Sequence, residues 1–315
     1  MTLHPQAQAV LDLLKAAPRP LKDLPPAEAR AAYDSFILPR NFDPTPVGKI
    51  EDRMIPGPGG GMRIRIYKPD IPETPLPVFL FIHGGGFVIG SIESRDPQCR
   101  LICRDARCIV VSVDYRMAPE HPFPAAPEDC WAALEWIAAN ASELGGDPTR
   151  IAVGGESAGG NLAAGLALRA RDAGGPALCA QILVYPLTDF FFEQDLPSYQ
   201  LLDAEYFLTR DQMAWYQDCY APGLTETNYI ALSPCKAENL SGLPPAQIIT
   251  AEFDPLRDDG KRYGERMAAA GVPVEYTCMK GMIHGYWHYG KLIDAATDAL
   301  TMNIEALKHA FADQN

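Results

Sequence analysis

The chain has 315 residues and a mass of 34.4 kDa, and its content of 47% hydrophobic and 21% charged residues is usual for a globular protein with a large core. Its formal net charge of −13, without any run of basic residues, disfavours nucleic acid as a partner because such a field repels phosphate groups. No stretch has the length and apolar character of an export signal or a membrane span, so we expect a soluble, cytoplasmic protein.

Eight cysteines occur without the closely spaced pairs that zinc and redox sites favour. Cys108, Cys179 and Cys278 lie in strand-like runs, where a thiol packs as a small hydrophobic group. We therefore expect reduced, buried thiols and no bound metal.

The first 46 residues predict a helical appendage, because amphipathic patterns at residues 5–17 and 26–38 are joined by a proline-rich stretch. A β-hairpin is predicted next. Residues 62–67 alternate between apolar and polar with period two, and the glycine-rich residues 57–61 supply the turn.

Beyond the hairpin, short apolar runs alternate with helical patterns, which is typical of a doubly wound parallel sheet buried on both faces. The predicted strands cover residues 78–82, 108–113, 151–154, 178–185, 246–251 and 274–278, and the predicted helices cover residues 125–141, 158–172, 258–270 and 291–311.

The connection between Pro186 and Leu243 is too long for a simple crossover and is rich in aromatic residues. A structureless loop of that length is improbable in a compact domain. We expect a helical insertion at about residues 188–230 that packs with the N-terminal appendage as a lid. A plain surface subdomain is the alternative.

The strongest motif is Gly155-Glu156-Ser157-Ala158-Gly159, which lies between a predicted strand and a predicted helix. A G-x-S-x-G sequence in this place builds a sharp nucleophile elbow, in which small residues flank the serine because neighbouring backbone comes close. The N-terminus of the following helix also favours developing negative charge. The motif predicts Ser157 as a nucleophile and gives Glu156, which faces away from the serine hydroxyl in such a turn, a structural role.

A second motif, His83-Gly84-Gly85-Gly86, follows the predicted strand at residues 78–82. Acyl transfer passes through a tetrahedral oxyanion, which backbone N–H groups of glycines can approach without obstruction by side chains. We predict an oxyanion hole formed by the N–H groups of Gly84, Gly85 and Ala158, with His83 holding the loop through hydrogen bonds. A merely flexible glycine turn is the alternative.

A serine needs a base to lose its proton at neutral pH, and histidine has the suitable acidity. Where a nucleophile elbow is present, the acid and then the histidine follow the serine along the chain, which leaves His284, His288 and His309. His284 lies in a glycine-flanked loop after the last predicted strand, whereas the other two lie toward or within the closing helix. We predict His284 as the base.

The carboxylate that orients the base should follow the penultimate strand, and Asp254 lies just after residues 246–251. Asp258 is a rival, but it opens the next predicted helix and is expected to cap it. Glu252 is a weaker rival because it still belongs to the strand. We predict Asp254 as the acid.

With these motifs in order, the chain resembles the hormone-sensitive-lipase-like esterases, bacterial family IV, and the segment DYRMAPEHPFPAA at residues 114–126 adds to the likeness. The resemblance implies an α/β-hydrolase fold with a mostly parallel, doubly wound eight-stranded sheet and a helical cap. The cap would comprise residues 1–46 and 188–230, and the catalytic core residues 47–187 and 231–315.

Two details qualify the resemblance. The family's commoner elbow carries Asp or Thr where this chain has Glu156, which leaves the nucleophile intact. Arg116 and Glu120 lie in the family segment at residues 114–126 and are expected to form an ion pair that supports the oxyanion loop.

Together the motifs and the resemblance predict a serine carboxylesterase that cleaves short-to-medium acyl esters without any cofactor. Its partner would be a small-molecule ester, and neither nucleic acid nor a membrane is expected to bind. Because relatives in this family often form dimers, the resemblance also makes a homodimer a candidate assembly. An amidase or lactonase with the same triad is an alternative, because residues around a triad say little about the leaving group. A non-catalytic receptor that binds a small ligand under the cap is another, which loss of a triad residue would mark.

Overall fold

The computed structural model describes residues 2–16, 19–72, 75–190, 196–203, 206–224 and 230–312. The strands in these residues are β1 (Lys49–Gly57), β2 (Gly60–Lys68), β3 (Leu76–Ile82), β4 (Ile109–Val113), β5 (Gly146–Glu156), β6 (Ala180–Val184), β7 (Ala246–Phe253) and β8 (Val274–Ile283). They form one eight-stranded sheet in the order β1-β2-β4-β3-β5-β6-β7-β8. The β1–β2 hairpin and the β2–β4 pair are antiparallel, and all the other pairs are parallel.

The α-helices in the described residues are α1 (Pro5–Lys15), α2 (Pro26–Ile37), α3 (Ile92–Asp105), α4 (Ala125–Asn140), α5 (Ala158–Asp172), α6 (Arg210–Tyr220), α7 (Arg257–Ala269) and α8 (Asp294–Ala312). The crossover through α3 steps toward β2, whereas those through α4, α5 and α7 step toward β8. Because parallel crossovers are right-handed, the two directions place their helices on opposite faces of the sheet. Helix α8 packs against α3, and α4 packs against α5.

Burial explains why the central strands were recognisable as uninterrupted apolar runs. Every residue of β3, β4, β6 and β7 is buried, because helices cover both faces of the sheet. The predicted hairpin, the parallel strands and the doubly wound α/β-hydrolase architecture are confirmed.

Helix α3 is the element that the sequence patterns did not reveal. Its buried face carries Ser94, Arg95 and Gln98 among its apolar residues, and Pro97 lies inside it. A helix that buries polar side chains has no clear apolar stripe, so hydrophobic periodicity does not detect it. Ser91 caps its N-terminus and forms a reciprocal capping box with Ser94.

Two stretches predicted as a cap contain helices. The first holds α1 and α2, and the second holds α6 and a 3₁₀ helix at Pro197–Asp203, while residues 191–195, 204–205 and 225–229 of the predicted insertion lie outside the described residues. An ion pair of 2.9 Å between Lys22 and Asp211 joins the N-terminal stretch to α6.

Within the described ranges, no helix combines the length and the apolar character needed to cross a membrane. The loops that follow β3, β5, β6, β7 and β8 lie at the carboxyl edge of the parallel strands, where open α/β sheets bind their ligands.

Candidate active site

The turn between β5 and α5 holds Ser157 in a strained backbone conformation with φ of 56° and ψ of −118°. Neighbouring backbone comes so close that a Cβ atom on Gly155 or Gly159 would overlap the carbonyl oxygen of Ile82 in β3. Glycine is therefore required at both positions, and the turn is the elbow that the motif predicts.

The structure brings the three predicted triad residues together from three different loops. Nε2 of His284, after β8, lies 2.9 Å from Oγ of Ser157. Nδ1 of His284 lies 2.8 Å from Oδ2 of Asp254, after β7. Asp254 has no exposed surface and His284 is 4% exposed, so the hydrogen-bonded chain is shielded from water. This arrangement suits transfer of the serine proton to the imidazole.

Each rival for the acid has another role. Asp258 does not cap its own helix: its Oδ2 accepts from the N–H of Ser198 at 2.9 Å, and it pairs with Arg257 at 2.7 Å. Glu252 accepts from the N–H of Gly281 at 2.9 Å. Asp258, which was expected to cap α7, therefore binds the segment that precedes α6 instead.

The rival histidines are also occupied elsewhere. His309 is exposed on α8 and contacts the carbonyl oxygen of Glu305. His288 is buried, and burial together with the nearby Arg95 cation lowers its pKa to about 4. It is therefore neutral at pH 7 and lies 3.3 Å from the carboxylate of Glu156.

The predicted oxyanion loop needs one correction. The N–H of Gly84 donates to Oε1 of Glu156, so it is not free to bind an oxyanion. Among the described residues, the N–H groups of Gly85 and Gly86 have no bonded acceptor, and Gly86 lines the same cavity as Ser157 and Ala158. Gly86 was missed because sequence alone does not show which of three successive glycines turns its N–H away.

His83 holds this loop as expected, with Nδ1 2.8 Å from the carbonyl oxygen of Gly84 and its ring stacked on Tyr115. The expected Arg116–Glu120 ion pair, in contrast, is wrong. Arg116 pairs with Asp129 at 2.8 Å, and Glu120 pairs at 2.6 Å with Arg30 of α2.

A small cavity of about 20 Å³, roughly the space of one water molecule, opens beside Ser157. Its lining is mostly apolar and includes side chains from α6 and from the loop after β6. The whole lining consists of Gly86, Phe87, Ser157, Ala158, Leu187, Phe190, Leu208, Met213, Tyr216, Gln217 and Leu256. A larger cleft of about 470 Å³ runs along α4 and α5 and touches none of the three triad residues.

Asp259 of α7 fixes the loop that carries Leu187 and Phe190 through hydrogen bonds to the backbone of that loop. Its carboxylate accepts from the N–H groups of Thr188 at 2.7 Å and Asp189 at 3.1 Å. Burial raises the pKa of Asp259 to about 7, although these hydrogen bonds act in the opposite direction.

Aromatic rings enclose the imidazole of His284. Tyr185 lies 4.6 Å from it between ring centroids, and Phe207, close to α6, stacks over it at 6.0 Å with an interplanar angle of 26°. Phe207, which belongs to the predicted cap insertion, therefore covers the imidazole of His284.

Comparison with known proteins identifies relatives over most of the chain. Residues 79–288 match the family model described as alpha/beta hydrolase fold. The carboxylesterase NlhH of Mycobacterium tuberculosis is 46% identical over 83% of this chain and 83% of its own length. The ethyl acetate hydrolase of Pseudomonas putida is 32% identical over 98% of this chain and 99% of its own length.

Solved structures agree with the sequence comparisons. The hyperthermophilic esterase from the archaeon Pyrobaculum calidifontis superimposes with a TM-score of 0.92 at 37% identity, covering 98% of this chain and 99% of that one. The chain therefore belongs to the α/β-hydrolase-fold family.

Proposed function

We propose that the chain is a serine carboxylesterase of the hormone-sensitive-lipase-like type, bacterial family IV, in which Ser157, His284 and Asp254 act as a catalytic triad. The observation that carries this proposal is the unbroken chain of contacts, 2.9 Å from Ser157 to His284 and 2.8 Å from His284 to Asp254. The names of the relatives NlhH and ethyl acetate hydrolase support an ester as the substrate.

In the acylation step, Oγ of Ser157 attacks the ester carbonyl carbon while its proton passes to Nε2 of His284. Asp254 accepts a hydrogen bond from Nδ1–H, which fixes the imidazole tautomer and stabilises the cation that forms. Collapse of the tetrahedral intermediate breaks the bond to the alcohol, whose oxygen takes the proton from Nε2. A water molecule then repeats these steps on the acyl-enzyme and releases the carboxylic acid.

The oxyanion of each tetrahedral intermediate would be bound by the N–H groups of Gly85, Gly86 and Ala158. Ala158 is the first residue of α5, where helix N–H groups have no partner within the helix and the helix dipole favours negative charge. Such preorganised donors stabilise charge that develops only in the transition state.

The substrate side follows from the cavity beside Ser157. We propose a preference for acyl groups of about two to eight carbons over the long chains of triglycerides, because the lining is mostly apolar. The cavity has room for about one water molecule, so even a short acyl group requires its lining side chains to move apart. We propose that residues 1–46 and 188–230 form a cap over a core of residues 47–187 and 231–315, because Leu208, Met213 and Tyr216 of the second cap segment line this cavity.

The test combines labelling and turnover. Ser157→Ala should lose fluorophosphonate labelling and drop in kcat by about 10⁴-fold or more while it folds normally, since a triad member is removed. A series of p-nitrophenyl esters from acetate to palmitate should show its maximum at or below octanoate. Near-normal turnover by folded Ser157→Ala would refute the nucleophile, and a maximum at palmitate would refute the short-acyl preference.

A further inference from the structure

A buried carboxylate next to the nucleophile takes no part in the proton transfers. Glu156 is 1% exposed, and its Oε1 accepts from the N–H of Gly84 and, at 2.8 Å, from Nε of Arg95. Its Oε2 lies 3.3 Å from Nε2 of His288. Burial by itself would raise the pKa of Glu156, but the Arg95 cation and the hydrogen bonds from neutral His288 and from the N–H of Gly84 together outweigh burial and hold the pKa below its usual range. The carboxylate is therefore charged and fully occupied.

Arg95 of α3 extends this contact toward the N-terminal helices. It has no exposed surface, and its Nη2 donates to the hydroxyl of Tyr33 in α2 at 2.8 Å. Two charges without access to water are stable only when they are paired and hydrogen-bonded. Tyr33, Arg95 and Glu156 thus form one continuous buried chain from α2 to the oxyanion loop.

A second contact from α2 reaches the other end of the same loop. Arg30 donates to the carbonyl oxygens of Val88 and Ala118, each at 2.8 Å, and pairs with Glu120 at 2.6 Å. Arg30 and Tyr33 are three residues apart, so they lie on one face of the helix. This face of α2 therefore contacts the loop in two ways. Tyr33 acts on Gly84 indirectly, through Arg95 and Glu156, whereas Arg30 binds the carbonyl oxygen of Val88 directly.

The direction of the Gly84 N–H matters for the two residues that follow it. A peptide plane turned toward Glu156 restricts the orientation of the next planes, which carry the N–H groups of Gly85 and Gly86. There is no room for adjustment on that side, since a Cβ atom on Gly84 would overlap the backbone and carboxylate of Glu156. Oxyanion stabilisation depends on donors that are already oriented before reaction.

We propose that Glu156 is a positioning residue, which together with Arg95 and Tyr33 fixes the oxyanion loop and couples the N-terminal helix α2 to transition-state stabilisation. This inference rests on the proposed esterase function. It gives α2 a role in transition-state stabilisation, although no residue of α2 is among the described residues that line the cavity beside Ser157.

The experiment measures kcat, KM and the inhibition constant of a trifluoromethyl ketone, whose adduct with Ser157 carries an oxyanion. Glu156→Gln should lower kcat, counted per site that reacts with the fluorophosphonate label, on the order of ten- to a hundredfold. This loss is smaller than the roughly 10²–10³-fold loss that follows removal of one hydrogen-bond donor of an oxyanion hole. Tyr33→Phe should lower kcat by about three- to tenfold, because it removes one hydrogen bond to a charged group. In both variants KM should stay constant and the inhibition constant should rise in parallel with the loss of kcat.

Tyr289→Phe is the matched control. Tyr289 is also fully buried and close to Tyr33 and Arg95, but its hydroxyl has no hydrogen-bond partner in the described part of the chain. It should retain kcat and inhibitor affinity within about twofold of the parent protein, because no hydrogen bond is lost. If Glu156→Gln does not fold, Tyr33→Phe carries the test, since it removes one oxygen atom and no charge.

Unchanged kcat and inhibitor affinity in folded Tyr33→Phe or Glu156→Gln would overturn the proposal. So would an equal loss in Tyr289→Phe, or a lower kcat without weaker inhibitor binding. Failure of the esterase assignment looks different, because the parent protein itself would then hydrolyse no ester, or Ser157→Ala would hydrolyse esters as fast as the parent.

Discussion

Replacing Asp254 by Asn tests the triad most sharply, because the structure determines how the amide must lie. Oδ1 of Asp254 accepts from the N–H of Leu256 at 2.8 Å, and Oδ2 faces Nδ1 of His284 at 2.8 Å. The side chain is fully buried, so neither contact can be replaced by bulk water. The amide oxygen is needed at Leu256, which leaves the amide NH₂ facing His284.

That orientation selects the wrong tautomer of the base. Nδ1 of His284 must then accept a hydrogen bond from the amide, and the single proton of the neutral ring moves to Nε2, where it prevents uptake of the Ser157 proton. We expect kcat to fall by about 10⁴-fold, equivalent to about 5 kcal/mol in the activation free energy.

Asp258→Asn is the matched control, since Asp258 lies four residues later and contacts Ser198 and Arg257 instead of the base. It should keep kcat within about threefold and lose roughly 1 kcal/mol in the free energy of unfolding. Turnover of p-nitrophenyl butyrate per labelled site and thermal melting measure the two effects. Activity of Asp254→Asn within tenfold of the parent, or inactivity of Asp258→Asn instead, would refute the assignment of the acid.

Three further changes test the surroundings of the site. Gly86→Ala should reduce kcat/KM strongly, because the residue has φ of 61° and its Cβ atom would overlap the ring of Tyr216; normal turnover would contradict the assigned loop geometry. Gly165→Ala, in the interior of α5 with 3.6 Å to the nearest atom, should raise the free energy of unfolding by about 0.5–1 kcal/mol, measured by urea denaturation. Folding raises the pKa of Asp259 from 3.8 to about 7, so the folded state favours the protonated carboxyl group. The stability that depends on this proton is fully present below about pH 4 and is lost as the pH rises through about 7. Asp259→Asn stays neutral, so its stability relative to the parent should improve by up to about 4 kcal/mol between about pH 4 and pH 8, and a constant difference would contradict the raised pKa.

The elements that could be predicted from sequence are those whose buried residues are apolar and close together along the chain. The all-buried strands β3, β4, β6 and β7 appear as short apolar runs, because a helix-covered parallel sheet leaves no polar face. Ser157, His284 and Asp254 could be located because the elbow motif and the order along the chain restrict the choice.

Other features depend on partners that are distant along the chain. Arg95 and Glu156 are 61 residues apart, and Arg30 and Glu120 are 90 residues apart. Nothing near Glu120 distinguishes Arg30 from Arg116 as its partner, because both are cations of the same kind. The choice is made by packing, which brings α2 onto the oxyanion loop.

The sequence by itself determined the order of the candidate catalytic residues along the chain: a serine in an elbow after β5, then a carboxylate after β7, then a histidine after β8. Only the tertiary structure decided that Gly84 gives its N–H to Glu156, and that α3 exists as a helix with a buried arginine. The physical reason is that apolar burial leaves runs or periodic patterns of apolar residues in the chain, whereas a buried charge is stable only through a specific partner that folding brings into contact.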